Sequence, residues 1–287
     1  MDNPTQILKD KALDQQLLAE GYVVIPFLNE NEISDLTSYF REHHAKVPKG
    51  LYATAHVPDT EFRNKMNDKI YTVFQRANEI AFGKDVLALG GTFMVKSPGP
   101  EGELIPHQDW SIVDENEFRS FNIWVPLVDT NESNGGLQVL ENSHTLVDVY
   151  RGPNTPSAFD QVYDEVWPKM KTLKVPAGHA VVYDHRLLHA SEENKTTEDR
   201  LVVVYGIIPK QAEMRYYYVN GSKVAEYKCH PDFFMYGSPG SGPGNLEKIQ
   251  EFEYTFPKVA SSKPKPTKTA KVQERKPILA RIKGWFR

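Results

Sequence analysis

The sequence predicts an α+β chain with a mainly β core, an antiparallel sandwich or barrel, and with helices at its N-terminal end. Two observations lead to this class. Amphipathic stretches of helical period fill the first third of the chain, and from about residue 86 the period becomes that of short strands. Helices followed by many short strands are typical of an α+β architecture. At 287 residues, the chain is long enough for one such domain with appendages.

The N-terminal part, about residues 1–85, contains three predicted helices and one predicted strand. Asn29 is a suitable N-cap for the second helix, and Gly83 is a suitable stop after the third. The segment before the third helix contains Pro48, Gly50 and Pro58 and has little periodicity, which indicates a loop. We predict helices over 5–20, 29–44 and 67–82, a strand over 22–26 and a loop over 45–62.

The core, about residues 86–210, consists of β-branched and aromatic runs separated by Pro, Gly, Asn and Asp. Strands are predicted over 86–96, 120–128, 136–140, 171–176, 180–185 and 201–208, and the run that starts at 180 continues to His189. A long crossing loop with a helical piece is predicted over 141–170. The aromatic extension, about 211–256, either packs over the barrel or forms a lid that lines a substrate pocket.

The C-terminal end is strongly basic. Residues 258–287 contain ten Lys or Arg and one acid, a charge of +9, so the rest of the chain carries 24 − 37 = −13. We predict a disordered basic linker over 257–277 and a short basic amphipathic segment over 278–287. This tail could dock on an anionic membrane surface or an acidic partner protein, or remain solvated. Nucleic acid is not expected as a partner because the acidic body would repel it.

Residues 1–256 are expected to form one domain in the cytoplasm. The first twenty residues mix acids and bases without an apolar stretch, and the longest apolar run, 201–208, is too short to span a bilayer. The single cysteine, Cys229, cannot form an internal disulfide. Through its basic tail the protein could also lie at the inner face of a membrane.

Three residues form a candidate metal site. His107 and Asp109 are two apart, so on a strand their side chains would share a face. His189 lies 82 residues downstream, at the end of a predicted strand, and would be the third ligand. Two imidazoles and one carboxylate make the facial triad of non-haem Fe(II) oxygenases. A catalytic zinc site uses similar ligands, so the ligands alone leave both metals open.

Arg200 favours iron with 2-oxoglutarate. It begins the strand that follows His189 across a polar loop, and if the two strands pair as a hairpin, both residues share a sheet face. A guanidinium can hold the distal carboxylate of 2-oxoglutarate through two parallel hydrogen bonds. Ser191, two residues after His189, would share that face and add a hydroxyl donor.

Taken together, these motifs resemble the phytanoyl-CoA dioxygenase family over roughly residues 13–210. The glycine at 178, ahead of His189 and Arg200, fits the same pattern. The other matching stretches are 20–26 (Glu-Gly-Tyr-Val-Val-Ile-Pro), 107–110 (His-Gln-Asp-Trp), Trp124 before 126–129 (Pro-Leu-Val-Asp), 134–140 (Asn-Gly-Gly-Leu-Gln-Val-Leu) and 143–144 (Ser-His).

The resemblance implies a double-stranded β-helix, the cupin-like jelly roll, with the N-terminal helices packed on it. It implies Fe(II) on His107, Asp109 and His189, and 2-oxoglutarate on Arg200. By the same match, the candidates to contact the cosubstrate are Gln108, Trp124, Ser191 and Thr92 or Met94.

The implied activity is that of a dioxygenase. It would use O2 to hydroxylate an unactivated C–H bond of a small molecule or a lipid-like or acyl substrate, and would convert 2-oxoglutarate to succinate and CO2. Desaturation and other oxidations are alternative outcomes. The alternative of another class is a non-catalytic cupin-like protein that binds a metal or a small molecule.

Overall fold

The structure, a computed structural model, describes residues 6–44, 46–237 and 239–261. The chain starts with helices, continues with strands and ends in a small additional sheet. The helices are α1 (Lys11–Glu20), α2 (Glu30–His43), α3 (Thr60–Ala81), α4 (Tyr163–Val166) and α5 (Pro231–Tyr236). The strands are β1 (Tyr22–Pro26), β2 (Leu51–Ala53), β3 (Val86–Lys96), β4 (Leu104–His107), β5 (Phe121–Pro126), β6 (Gln138–Val139), β7 (Lys171–Thr172), β8 (His179–Asp184), β9 (His189–Ser191), β10 (Arg200–Pro209), β11 (Arg215–Asn220), β12 (Lys223–Lys228) and β13 (Lys248–Glu253).

Side-chain caps determine where the long helices begin. Asn29 and Glu32 form a reciprocal capping box at the start of α2. Asp59 accepts a hydrogen bond from the Phe62 amide and caps α3. Helix α3 therefore begins at Thr60, seven residues before the predicted start, and the predicted loop over 45–62 was wrong in part because it also contains β2.

Two antiparallel sheets form the core. The six-stranded sheet has the order β1-β8-β5-β10-β3-β2, and the four-stranded sheet has the order β4-β9-β6-β7. From β3 to β10 the chain crosses between the two sheets at every step except β6 to β7, which is the arrangement of a jelly roll. The predicted fold class is confirmed.

The six-stranded sheet buries both faces because its side chains alternate in direction. On β10, Val203 and Tyr205 pack in the cluster that contains Phe74 of α3. Val202, directly before Val203, belongs to the cluster that contains Val139 of the four-stranded sheet. The helices thus cover one face, and the space between the two sheets lies on the other.

The strand predicted to run from 180 to His189 is interrupted. Strand β8 ends at Asp184, and the Leu187 amide donates to the Asp184 carbonyl, which closes a turn. His189 then starts β9 in the four-stranded sheet, whereas Arg200 starts β10 in the six-stranded sheet. The expected hairpin between these two strands was therefore wrong.

The aromatic extension forms a sheet of its own, with the order β11-β12-β13, and the helix α5. Its Tyr216 and Phe233 pack in one cluster with Trp110 and Phe118 of the core. After this sheet, the described start of the predicted linker contacts the body, since the Val259 amide donates to the Ala158 carbonyl at 2.8 Å.

The rest of the basic linker and the segment 278–287 lie outside the described residues, so docking of the tail on a membrane or an acidic partner stays a prediction. In the part of the chain that the structure describes, no helix is both long enough and apolar enough to cross a membrane.

Candidate functional site

Three side chains that can bind a metal ion come together beside strands β4 and β9. His107 and His189 are register partners on these strands, and their ring centres are 4.2 Å apart. The carboxylate of Asp109 lies 4.0 Å from Nε2 of His107 and 3.8 Å from Nε2 of His189. One ligand atom from each residue lies within 4.8 Å of the others. This donor set fits one metal ion with open coordination positions.

Asp109 reaches the site from a loop and not from a strand. Strand β4 ends at His107, so the expected strand geometry does not extend to Asp109. Its amide donates to the His185 carbonyl at 2.9 Å, and its carbonyl accepts from Nε of Arg151 at 2.6 Å. Arg151 in turn forms an ion pair with Glu115 at 2.6 Å. The carboxylate is thus placed by a fixed main chain.

Both imidazoles present the same nitrogen to the site. Nδ1 of His107 lies 2.8 Å from the Ile105 carbonyl, and Nδ1 of His189 lies 3.0 Å from the Leu187 carbonyl. A carbonyl only accepts hydrogen bonds, so Nδ1 holds the proton and Nε2 keeps its lone pair for a metal. Burial and the neighbouring His189 lower the pKa of His107 to about 4. The imidazole of His107 is therefore neutral at physiological pH.

The carboxylate of Asp109 is oriented by Asn122 and Tyr183. Asn122 on β5 donates through Nδ2 to Oδ2 of Asp109 at 2.8 Å and lies 3.3 Å from the Tyr183 hydroxyl. Burial raises the pKa of Asp109, but the histidines and Asn122 outweigh it, and the net pKa is lowered. Burial, followed by the Asp109 charge, raises the pKa of Tyr183 well above its usual value. Tyr183 therefore remains a neutral donor beside the ionised ligand.

Arg200 is buried between the sheets. It is 2% exposed, and its guanidinium carbon lies 5.5 Å from the centre of the Trp124 ring. One terminal nitrogen donates to the Gly135 carbonyl. Its Nε has no hydrogen-bond partner among the described residues, and burial lowers the pKa of the group to about 9. A buried guanidinium with unused donors is suited to binding an anion.

Ser191 lies next to a second buried basic side chain, that of Lys96. The hydroxyl of Ser191 is 2.6 Å from Nζ of Lys96, which also donates to the Ser191 carbonyl at 3.0 Å. Lys96 ends β3, and its Cα is the register partner of the Arg200 Cα on β10. Two residues that face each other in this way have their side chains on the same side of the sheet. The two basic side chains and the hydroxyl therefore line one pocket, called here the cationic pocket after the Arg200 guanidinium.

The remaining predicted contact residues lie in different surroundings. Gln108 donates to the Arg186 carbonyl at 2.5 Å. Trp124 and Met94 line the apolar cluster between the sheets, on the same side as Arg200. The hydroxyl of Thr92 is engaged with the segment after β2, 3.0 Å from the Thr54 hydroxyl. Of this group, Trp124 and Met94 lie at the cationic pocket.

Three residues of the site are absent from the sequence-based prediction: Lys96, Asn122 and Tyr183. Asn122 is two residues before Trp124 on one strand, and Lys96 is two residues after Met94, so the period of two could have found both. No comparable signal points to Tyr183, which belongs to β8 and meets Asp109 only through the pairing of β8 with β5.

An aromatic cluster lies beside the metal ligands. Trp110 directly follows Asp109, and its ring centre is 6.4 Å from that of Tyr216 and 6.5 Å from that of Phe234. These two residues belong to the C-terminal sheet and to α5. The surroundings of the metal site are thus apolar on this side.

A jelly roll with two histidines and one carboxylate around a single point belongs to the class of proteins with a mononuclear non-haem metal site. Comparison with known proteins identifies the family within this class. Residues 19–202, more than half of the chain, match the family described as phytanoyl-CoA dioxygenase (PhyH). The chain belongs to the phytanoyl-CoA dioxygenase family, as the sequence motifs had indicated.

Two curated relatives are each 28% identical to the chain. They are a phytanoyl-CoA dioxygenase of Arabidopsis thaliana, matched over 127 residues, and phytanoyl-CoA dioxygenase domain-containing protein 1 of Danio rerio, matched over 131 residues. Each match covers 43% of this chain. The chain spans less than half the length of these relatives, 44% and 45%.

Solved structures of similar fold include proteins that depend on 2-oxoglutarate, also called α-ketoglutarate, or were crystallised with it. The epimerase SnoN, in complex with Fe3+, α-ketoglutarate and nogalamycin RO, has a TM-score of 0.54 at 18% identity and covers 88% of this chain and 96% of its own. HygX of Streptomyces hygroscopicus, with nickel and 2-oxoglutarate bound, has a TM-score of 0.51 at 16% identity and covers 70% and 87%. At these identities the likeness shows the fold.

Proposed function

We propose that the protein is a non-haem Fe(II)- and 2-oxoglutarate-dependent dioxygenase. The observation that carries the proposal is the buried guanidinium of Arg200, which has unused donors and lies across from the strand that bears His189. A zinc hydrolase has no need for a buried anion pocket at this place. Membership in the phytanoyl-CoA dioxygenase family supports the same reaction class.

The residues present fit the cosubstrate as well as the metal. The two imidazoles and the carboxylate would hold Fe(II), and three coordination positions would remain for 2-oxoglutarate and dioxygen. Ser191 is two residues from His189, about 7 Å along a strand, so a five-carbon diacid could reach from the metal to the cationic pocket. Trp124 would flank its carbon chain.

The proposed reaction is hydroxylation of an unactivated C–H bond. Iron would supply the activation of O2, coupled to decarboxylation of 2-oxoglutarate to succinate and CO2. The chain would fix the ligands, exclude water and position the substrate. The aromatic cluster around Trp110 favours a small molecule or a lipid-like or acyl substrate with an apolar part. We place the reaction in the cytoplasm, where a free thiol such as that of Cys229 is usual.

The proposal is tested by anaerobic addition of Fe(II) and 2-oxoglutarate to the protein. We expect a metal-to-ligand charge-transfer band, its loss in His107→Ala, and weaker binding of 2-oxoglutarate in Arg200→Ala by at least ~10-fold. Arg41→Ala is the matched control, because Arg41 is exposed on α2 and far from the site in the fold. It should bind 2-oxoglutarate like the wild type.

Turnover separates the enzyme from a binding protein of the same fold. With O2 present, the dioxygenase should release succinate, either with a substrate or slowly without one. A protein that shows the band but no succinate across a broad substrate screen would be the non-catalytic alternative. A protein that binds zinc in place of Fe(II) and shows no response to 2-oxoglutarate would contradict the whole proposal.

A further inference from the structure

Lys96 is a fully buried amine beside Arg200. It is 0% exposed at the end of β3. A Cβ added to Gly102 or Gly135 would come within 2.9 Å or 2.8 Å of carbons in the Lys96 side chain, so the chain closes tightly around this stem. A lysine side chain loses much conformational entropy when it is held in one position. The tight packing around the stem of Lys96 nevertheless fixes the position of Nζ.

The contacts of Nζ allow two protonation states. Nζ lies within hydrogen-bond distance of two carbonyls, those of Ser191 and Glu192, and of the Ser191 hydroxyl. A neutral amine can donate to both carbonyls and accept from the hydroxyl. An ammonium donates to all three, and the Ser191 hydroxyl then has its own proton free for another acceptor. Protonation of Lys96 therefore reverses one hydrogen bond.

The charges around Lys96 are not balanced. The charged groups that face it are Arg200 on β10, Glu192 after β9 and Glu103 before β4, while β2 presents Leu51. Burial, followed by Arg200, lowers the pKa of Lys96 to about 6, against the opposite effect of Glu103 and Glu192. An anion bound at Arg200 would favour the ammonium form.

We propose that Lys96 is the second cation of the 2-oxoglutarate pocket, and that it takes up a proton when the distal carboxylate binds and thereby turns the Ser191 hydroxyl toward that carboxylate. The inference rests on the proposed function. Lys96 acts on the ligand partly through Ser191 and is in that respect a positioning residue. Binding of 2-oxoglutarate then weakens as the pH rises above neutrality, because each bound molecule requires a proton.

The test is calorimetric titration of 2-oxoglutarate into protein loaded anaerobically with Fe(II). At pH 7.5, two buffers of different protonation enthalpy report the number of protons taken up. We expect nearly one proton per 2-oxoglutarate for the wild type and for Lys84→Met, since Lys84 is exposed after α3. Lys96→Met should take up none and should bind 2-oxoglutarate on the order of 10-fold more weakly or worse.

A truncated ligand separates a direct effect from a structural one. Pyruvate keeps the 2-oxo acid group and lacks the distal carboxylate, so Lys96→Met should leave its binding unchanged. Ser191→Ala keeps the amine, and we expect it to weaken 2-oxoglutarate but to retain the proton uptake. If Lys96→Met does not fold, the proton uptake of the wild type and of Ser191→Ala on binding 2-oxoglutarate still tests the proposal.

The outcomes distinguish this inference from the function on which it rests. Binding of 2-oxoglutarate that depends on Arg200 but takes up no proton would overturn the role of Lys96 alone. Equal weakening of pyruvate and 2-oxoglutarate in Lys96→Met would do the same. Absence of any 2-oxoglutarate binding by the wild type would overturn both.

Discussion

Asn122 should control the affinity of the metal centre, although it is not a ligand. Its Nδ2 donates to Oδ2 of Asp109 at 2.8 Å, the one hydrogen bond that joins this carboxylate to β5. A hydrogen bond to a charged group contributes about 1.5–3 kcal/mol, and each 1.4 kcal/mol is a factor of about ten. Mutation of a residue that hydrogen-bonds to a metal ligand commonly weakens metal binding by about 10–100-fold. Asn122→Ala should weaken metal binding within that range.

The surroundings of Asp109 put the expected loss of metal affinity in Asn122→Ala near the lower end of this range. Tyr183 also hydrogen-bonds to Asp109 and remains as a donor in Asn122→Ala. We therefore expect about 10-fold weaker binding for Asn122→Ala and an approach to 100-fold for the double variant with Tyr183→Phe.

The assay is competition for Co(II) or Fe(II) with a chromogenic chelator at constant pH under anaerobic conditions. Asn31→Ala makes the same chemical change at an exposed position of α2 and should leave the affinity unchanged. If Asn122→Ala and the double variant both bind metal within a factor of about two of the wild type, the orientation of Asp109 does not depend on these donors and the reasoning fails.

Three further predictions concern stability. Gly152→Ala should lower the free energy of unfolding by about 1–3 kcal/mol, because a Cβ there would lie 2.1 Å from the Tyr217 carbonyl oxygen. Gly83→Ala is the control in the same thermal melts, because its Cβ would meet no atom closer than the Asp85 amide nitrogen, at 4.0 Å. Arg151→Ala removes one partner of a buried ion pair and should cost about 3–5 kcal/mol in chemical denaturation. His107 is neutral when folded down to about pH 4 but protonates near pH 6.5 when unfolded, so the metal-free protein should lose about 1.4 kcal/mol between pH 7.5 and 5.5, and His107→Gln should reduce this loss.

Local signals in the sequence were enough for the fold class and for most of the strands. The change from helical to strand period near residue 86 corresponds to the start of β3 at Val86. The predicted start of α3 was too late because Pro58 and the polar residues after it look like a loop in the sequence, although Asp59 among them is the N-cap of the helix. A cap is one side chain in a loop, and its effect on the helix depends on a backbone conformation that periodicity does not report.

The site was predictable where it consists of ligand types at fixed spacing, and less so where it depends on pairing between distant strands. His107, Asp109 and His189 have side chains whose chemistry identifies them. Lys96 is an ordinary charged residue in the sequence, and only its register with Arg200 makes it part of a pocket. The hairpin expected between His189 and Arg200 assumed that neighbours in sequence pair, whereas the jelly roll places β9 and β10 in opposite sheets.

The placement of β9 and β10 in opposite sheets has a chemical consequence, because β9 then sets the distance between the metal position and the cationic pocket. His189 at its start faces the metal position, and Ser191 at its end contacts Lys96, which comes with Arg200 from the opposite sheet. The separation between metal and cations is thus two residues of strand backbone, about 7 Å, and not the reach of flexible side chains. A slip of one residue would turn Ala190 inward and remove the ligand and the hydroxyl together. Metal binding and recognition of the distal carboxylate therefore depend on the same register, and neither can be lost through a change of pairing without the other.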